Sequence, residues 1–180
     1  YRPFLAYTLN SRGFKKFSKA EKIAGNNSNP QRDYKVNRYD WAVEVFPDEK
    51  SISGTMDIHF TPQSSQSTFL FDLQRKMKIV SFTCSNGKPI LKHDQDFLYL
   101  DFKETVPVGT RLKLSIDYEG KPANVAGQGP IQWKKDQEDR VWLSTITEGI
   151  GPHFIMPCNA LLRAEPDSVT IAVTVPEHLT

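Results

Sequence analysis

The sequence has little of what would place it in a specialised class of protein. It contains two cysteines, Cys84 and Cys158, far apart in 180 residues, which excludes a disulfide-rich scaffold. No apolar run approaches the roughly 20 residues of a membrane-spanning helix, so we expect no membrane span. The chain lacks CxxC, HExxH and histidine pairs at helical spacing, and its four histidines are scattered. We therefore expect no metal site built by this chain alone.

Two further absences leave questions open. The two cysteines allow one disulfide or two free thiols, and their spacing decides for neither. No signal peptide is visible, because the chain begins at Tyr1 without an initiator methionine and no apolar stretch follows. We interpret it as a processed or trimmed chain. The compartment stays unknown, and a periplasmic or secreted location with the signal peptide removed is one interpretation.

Charge is unevenly distributed. Apolar residues make up 38% and charged residues 24% of the chain, which is ordinary for a globular domain. Residues 1–35 hold eight basic and two acidic residues, a net charge of +6, and since the whole chain carries +2 the remainder carries −4. A basic arm could bind nucleic acid or an anionic membrane surface. A solvated leader, or a segment docked on an acidic face, is the interpretation we favour, with no nucleic-acid partner.

The composition changes after a loop rich in glycine, asparagine and proline at residues 25–33. We therefore divide the chain into a basic arm and linker, residues 1–33, and a β domain, residues 34–180. Within the arm, residues 14–24 could form a short amphipathic helix with Phe14, Phe17 and Ile23 on one side.

From Tyr34 onward, alternating apolar and polar residues predict β-strands. VNRYDWAVEVF and SISGTMDIHF flank the turn Pro47–Lys50 and should form a hairpin. Nine further short runs follow, including HFIM and SVTIAVTV, with a turn at Asn86–Gly87 and a long loop over residues 119–132. Ten or eleven strands without a convincing helix predict an all-β fold of two packed antiparallel sheets, a sandwich or saddle, with the basic arm at its N-terminus.

The order and spacing of these runs resemble the N-terminal domain of the zinc aminopeptidase family that includes aminopeptidase N and leukotriene hydrolase. The resemblance covers about residues 34–180, and no single motif in it is specific. The segments that carry it are Arg38–Asp40 with Ser51–Thr55, Asn86–Pro89, Asp96–Leu100, Leu112–Pro122, Gly127–Trp133, Pro157–Asn159 and Asp167–Pro176.

The resemblance implies a domain that packs on a separate zinc-binding catalytic domain of the same polypeptide. That catalytic domain carries HExxH, a distant glutamate ligand and a Gly-x-Met-Glu-Asn motif, none of which occurs in these 180 residues. The resemblance thus implies a zinc-dependent aminopeptidase that removes N-terminal residues from peptides. The present chain would contribute no catalytic residue and no cofactor, and would be inert alone.

The resemblance also assigns candidate site residues. Glu148 stands where the family places a side chain that holds the free α-amine of the peptide substrate, and a carboxylate suits an ammonium partner. His153 stands where arginine is usual, and Ile146 where glutamine is frequent. We treat Ile146 and His153 as neighbours of the cleft. By residue type alone, Glu148 could equally be a surface loop acid and His153 a structural histidine.

A second function stays open at this stage. The chain could be a free-standing β-sandwich module that binds carbohydrate or a protein partner through exposed aromatic side chains such as Trp133 or Tyr99. A domain of a larger enzyme should expose a contiguous apolar patch where its partner domain belongs. A free-standing module should instead present an aromatic groove.

Overall fold

The computed structural model describes residues 22, 26, 28–124, 129–147, 150–161, 164–177 and 179, together with the backbone of residues 9–10 and 13–14. Twelve strands and two single-turn 3-10 helices are found among these residues. In chain order they are β1 Leu9–Asn10, β2 Gly13–Phe14, η1 Pro30–Arg32, β3 Tyr34–Phe46, β4 Ser51–Pro62, β5 Gln66–Asp72, β6 Met77–Cys84, β7 Ile90–Asp94, β8 Phe97–Val106, β9 Leu112–Gly120, β10 Ile131–Lys135, β11 Val141–Thr145, η2 Pro152–Phe154 and β12 Ser168–Thr174.

Two sheets form the body of the domain, which confirms the predicted all-β class. The larger sheet has the strand order β12-β3-β4-β9-β6, and the smaller has the order β5-β8-β7. β10 pairs with β11 and β1 pairs with β2 in separate hairpins. All of these pairs are antiparallel except one: β12 runs parallel to β3, with Ile171 opposite Trp41. Only antiparallel pairs were predicted from the sequence, because the direction of β12 depends on the path of the long connection before it.

The alternation in the sequence sets the inner face of the larger sheet. On β3, Tyr39, Val43 and Val45 are buried and Trp41 is partly buried, as the period of two predicts. The same period continues through the neighbouring strands. Their buried inner residues are Ile52, Met56, Ile58 and Phe60 on β4 and Leu112, Leu114, Ile116 and Tyr118 on β9. Because the smaller sheet contributes Phe69, Phe71, Leu98 and Leu100 to the same cluster, the two sheets share one core.

Aromatic rings occupy the centre of this core. Tyr34, Phe60, Phe69 and Phe71 meet with ring centroids 5.0–6.0 Å apart, mostly edge to face, which is the favourable arrangement for aromatic quadrupoles. The buried Tyr34 hydroxyl donates to the carbonyl oxygen of Leu70 on β5 at 2.7 Å. This bond joins the first residue of the larger sheet to the smaller sheet.

Two turns predicted from the sequence are present in the structure, and a predicted loop is shorter than expected. The turn at Pro47–Lys50 is present, and Gly87 adopts a φ of 67°, the left-handed backbone expected of Asn-Gly. Residues 121–124 and 129–130 lie outside regular elements, as the predicted loop requires, but that loop was drawn too long at its ends, since Glu119 and Gly120 belong to β9 and Ile131 begins β10.

Two local predictions were wrong. HFIM forms η2 and a turn instead of a strand, because Pro152 lacks an N–H and fixes a φ that suits a helical turn. Phe14 lies in β2 and pairs with Leu9, so it does not belong to a helix; Phe17 and Ile23 lie outside the described residues. Cys84 and Cys158 are free thiols in the structure.

Candidate functional site

The candidate site is built on residues 150–161, named here the Pro-Cys segment, which follow β11. At its start, the carbonyl oxygen of Thr147 accepts the N–H of Ile150 at 3.2 Å and of Gly151 at 2.8 Å. Gly151 has a φ of 92°, and a Cβ atom there would lie 2.8 Å from Nδ1 of His153. Only glycine suits this point, both for backbone conformation and for space.

The larger sheet holds the Pro-Cys segment through two tyrosine hydroxyls. Tyr118 on β9 donates to the carbonyl oxygen of Ile155 at 2.8 Å, and its hydroxyl accepts the indole N–H of Trp41 at 2.6 Å. Tyr39 on β3 accepts the backbone N–H of Asn159 at 2.9 Å. Burial raises the pKa of both tyrosines well above the ordinary value, so both stay neutral hydroxyls that can donate and accept.

The end of β5 holds the same segment from the other side. Asp72 and Cys158 exchange two backbone hydrogen bonds, of 2.7 and 3.0 Å, and form an antiparallel bridge. The N–H of Gln74 donates to the carbonyl oxygen of His153 at 2.9 Å. The Asp72 carboxylate accepts the backbone N–H of Ala160 at 2.9 Å. The segment is therefore fixed at five residues between two sheets.

A buried ion pair lies at this junction. The guanidinium of Arg32 donates to both carboxylate oxygens of Asp72 at 2.5 Å and to the side-chain oxygen of Asn159 at 3.2 Å. Its carbon Cζ lies 5.9 Å from the ring centroid of Phe97. The side chains of Arg32 and Asp72 are 1% and 6% exposed. Removing one partner of such a pair costs about 3–5 kcal/mol, because a charge stays buried without its counterion.

Burial by itself would lower the pKa of Arg32, but the hydrogen bonds and charge of Asp72 outweigh it, and the pKa is raised. Arg32 is therefore charged at neutral pH. By sequence this residue belongs to the linker, and its role was not predicted. The only signal was Pro30, which can begin a helical turn, after Asn29, whose side chain accepts the N–H of Gln31 at 3.0 Å.

The structure describes two of the three site residues predicted from the sequence, Ile146 and His153. Glu148 lies outside the described residues, so its role stays a prediction. Ile146 has 51% of its surface exposed and is held by a bond from its N–H to the carbonyl oxygen of Pro130 at 2.9 Å. His153 is half-buried within the Pro-Cys segment. Ile146 and His153 thus lie on either side of position 148 along the chain. Ile146 follows directly after β11, and His153 lies in η2.

His153 has a distinct environment. Its ring packs against Phe154 with centroids 4.6 Å apart, and its Nδ1 atom is buried without a hydrogen-bond partner among the described residues. Burial lowers the pKa of this imidazole, an effect that the charge of Arg32 reinforces and those of Asp72 and Asp96 oppose. The neutral ring is therefore favoured.

An apolar stripe on β12 is exposed. Val169, Ile171 and Val173 are 48%, 58% and 58% exposed, although they pair with Tyr39, Trp41 and Val43. Paired residues of neighbouring strands project to the same side of a sheet. The stripe therefore continues the inner, core-forming face of the larger sheet beyond the area that the rest of the described chain covers.

The aromatic residues of the alternative function are less available. Trp133 packs against the core, because it lies on the same side of β10 as the buried Ile131, and Tyr99 is half-buried. Among the described residues the tryptophan with the largest exposed fraction is Trp142, at 52%.

The part of the chain that the structure describes contains neither a cluster of metal ligands nor a membrane-spanning helix. No group of three or more histidine, cysteine or acidic side chains there is arranged to hold a metal ion. None of the helices within those residues combines the length and apolar character needed to cross a bilayer.

The solved structures to which this chain is similar are zinc metallopeptidases. An M1 zinc metallopeptidase from Deinococcus radiodurans superposes with a TM-score of 0.62 at 19% identity over 81% of this chain. A mutant from the same organism, bound to a Tyr-Ser-Ala substrate, gives 0.62 at 19% over 80%, and a two-domain M1 mutant bound to L-arginine gives 0.61 at 19% over 81%.

At 19% identity these likenesses establish a shared fold. The chain spans about one third of the length of those structures, 33% in each case. No family model and no curated protein sequence matches it.

Proposed function

We propose that this chain is the N-terminal, cleft-lining domain of a zinc-dependent aminopeptidase that removes N-terminal residues from peptides. Its partners would be the catalytic domain of the same polypeptide and the peptide substrate. The fold match to zinc metallopeptidases three times as long supports the proposal. The single observation that carries it beyond the fold is the uncovered inner face on β12.

The β12 stripe favours a domain over a free-standing module. An isolated apolar residue at a surface needs no explanation, but three β-branched side chains in a row on one strand form a contiguous patch. They continue a face whose other strands form the core. A second body that packs on this face would complete the same core, as expected of two domains of one polypeptide.

The division of chemistry follows from what the chain contains. The zinc of the parent enzyme, held by residues outside this sequence, would supply the activated water for hydrolysis of the first peptide bond. Glu148 would bind the free α-amine of the substrate through its carboxylate, and so register where the peptide begins. Ile146 and His153 would lie beside it and shape the space for the first side chain. Without the catalytic domain, the chain would be inert.

The test is made in the parent enzyme with an aminoacyl reporter substrate. Glu148→Ala should weaken substrate binding by roughly 2–5 kcal/mol, because the ammonium loses its partner in a desolvated site. A matched control is Glu138→Ala, which removes an exposed acid in the turn of the β10–β11 hairpin and should leave kcat/KM unchanged.

A second substrate sharpens this experiment. The wild-type enzyme should prefer the reporter with a free amine over its N-acetylated form, and Glu148→Ala should reduce that preference. If Glu148→Ala has the kcat/KM of the wild type on the free-amine reporter, the anchor role is refuted.

A further inference from the structure

We propose that Arg32 is a positioning residue for peptide binding: through Asp72 and Asn159 it fixes the Pro-Cys segment, and thereby the cleft edge that this segment forms. The inference rests on the proposed function for its link to substrate. It assigns a role to a residue of the N-terminal linker, outside the β domain as the sequence delimits it.

The backbone around Arg32 is itself fixed. Its N–H donates to the carbonyl oxygen of Asn29 at 3.0 Å, and the N–H of Asp33 donates to Pro30 at 3.0 Å, which closes η1. The carbonyl oxygen of Asp33 then accepts the N–H of Gln63, just after β4, at 2.9 Å. The guanidinium therefore enters the junction from a turn that is tied to the larger sheet.

The guanidinium acts on the segment along two routes. Directly, it donates to the side chain of Asn159, whose backbone N–H is held by Tyr39. Indirectly, it neutralises Asp72, whose Oδ2 atom also accepts the N–H of Ala160. Asp72 Oδ2 is thus shared between the side chain of the linker and the backbone of the segment. Loss of Arg32 would leave that carboxylate buried without a counterion, and its contact with Ala160 would have to change.

Arginine fits this position better than lysine. The planar fork of N–H donors reaches both oxygens of Asp72 and the oxygen of Asn159 at once, whereas an ammonium is a single compact charge. The direction of three contacts is set by one rigid group. This geometry suits a residue that fixes the position of other groups more than one that only balances charge.

The position of the segment matters for binding, since displacement of a substrate-contacting group by about 1 Å can cost about a hundredfold in rate. The segment carries His153, and it continues the chain beyond Ile146. Its other bonds hold the backbone: Gln74 and Tyr118 hold His153 and Ile155, and the backbone of Asp72 and the hydroxyl of Tyr39 hold Cys158 and Asn159. The side chain of Asn159 and the N–H of Ala160 depend on the Arg32 cluster, so the cluster controls where the segment leaves the cleft edge.

The experiment uses the parent enzyme with the double substitution R32M/D72L. Replacing both charges with apolar groups of similar size avoids the unpaired charge that either single change would leave, and such replacements are tolerated in other proteins. We expect a folded enzyme whose KM for the aminoacyl reporter rises by about tenfold or more, whereas kcat changes by less than about twofold. Amide hydrogen exchange should become faster in residues 150–161.

A matched control removes an exposed ion pair from the same domain. Lys78 and Glu119 pair across β6 and β9 at 3.1 Å with side chains 73% and 50% exposed. The double substitution K78M/E119L should leave KM and the exchange of residues 150–161 unchanged.

A second variant covers the case in which the double variant does not fold. Asn159→Ala removes one partner of the guanidinium and leaves the ion pair intact. It should raise KM by about threefold or more with little change in kcat. An unchanged KM in the folded double variant, or in Asn159→Ala if the double variant does not fold, overturns the inference.

The two proposals fail in distinguishable ways. If Glu148→Ala raises KM and the Arg32 variants do not, the positioning role is wrong and the proposed function stands. If the parent protein hydrolyses no aminoacyl reporter, the proposed function is wrong. Hydrogen exchange then decides the positioning role alone: unchanged exchange in residues 150–161 of the double variant rejects it.

Discussion

At the scale of single residues, buried polar side chains gather at one junction. The buried polar or charged residues of the described chain are Arg32, Asp72, Gln74 and Asn159. All four lie where the linker, the end of β5 and the Pro-Cys segment meet. Buried polar groups need partners with defined geometry, so this junction specifies one arrangement of three chain segments that an apolar contact would leave adjustable.

His153 makes the fold sensitive to pH at the same place. Because burial lowers its pKa below the ordinary value of 6.5, the unfolded chain binds more protons than the folded one as the pH falls through 6.5. The contribution of neutral His153 to stability is therefore fully present above pH 6.5. It is lost as the pH falls from 6.5 to the folded-state pKa, with a slope of at most about 1.4 kcal/mol per pH unit for one group.

We predict that urea unfolding measured between pH 7.5 and pH 5 gives a shallower pH dependence for His153→Gln than for the wild type. Carboxylates whose pKa is lowered in the folded protein do not change stability between pH 7.5 and pH 5. Hydrogen bonds from Ser81 and Thr55 lower the pKa of Asp117, for example, so its contribution is lost only below about pH 4. An NMR titration in which His153 has a pKa at or above 6.5 would contradict the prediction.

At the scale of elements, β12 differs from every other strand of the larger sheet. Its seven residues are all exposed, whereas strands β3, β4 and β9 each bury one side. Alternation in the sequence of β12 correctly predicted a strand with one apolar face. It could not show that this face lies on an uncovered margin of the sheet, because coverage depends on the neighbouring strands.

We predict that Ile171→Lys has opposite consequences in two contexts. In the 180-residue chain, an exposed substitution should change the free energy of unfolding by about 0.5 kcal/mol or less. In the parent enzyme, it should place a charge in an apolar contact between domains and make the connection between them more sensitive to limited proteolysis. The measurement compares proteolysis rates for the two proteins.

Ala172→Lys is the control for this prediction, since Ala172 pairs with the exposed Ala42 and projects to the opposite, outer side of the sheet. Ala172→Lys should change neither the free energy of unfolding of the 180-residue chain nor the rate of limited proteolysis of the parent enzyme. Equal proteolysis of the Ile171 and Ala172 variants of the parent enzyme would show that the stripe is not a domain contact.

At the scale of the whole molecule, the described residues form a β-sandwich in which part of one inner sheet face, on β12, stays uncovered. The two sheets enclose a single core, so we expect the domain to fold without its neighbour. Under the proposed function, the catalytic groups would lie elsewhere in the polypeptide. We predict that the isolated chain hydrolyses no aminoacyl reporter with or without added zinc, whereas the parent polypeptide does so in a zinc-dependent manner. Hydrolysis by the isolated, repurified chain would contradict the proposal.

The candidate site shows where prediction from sequence ended. The Pro-Cys segment was recognised by its residues, but its fixation was not, because Arg32 and Asn159 are 127 positions apart. Arg32 sits in a polar, proline-containing stretch that reads as a linker. A contact over such a separation leaves no periodic signal in either segment.

The sequence by itself determined the strands from β3 to β12, the apolar side of strands such as β3 and β12, and the turns at Pro47–Lys50 and Asn86–Gly87, since these depend on neighbours one to four residues away. Only the tertiary structure decided that β12 runs parallel to β3, that its apolar side stays uncovered, and that a linker arginine joins the junction beside the Pro-Cys segment. Those features depend on contacts between segments that are far apart in the sequence. Such contacts leave no pattern within either segment, so they cannot be read from local sequence.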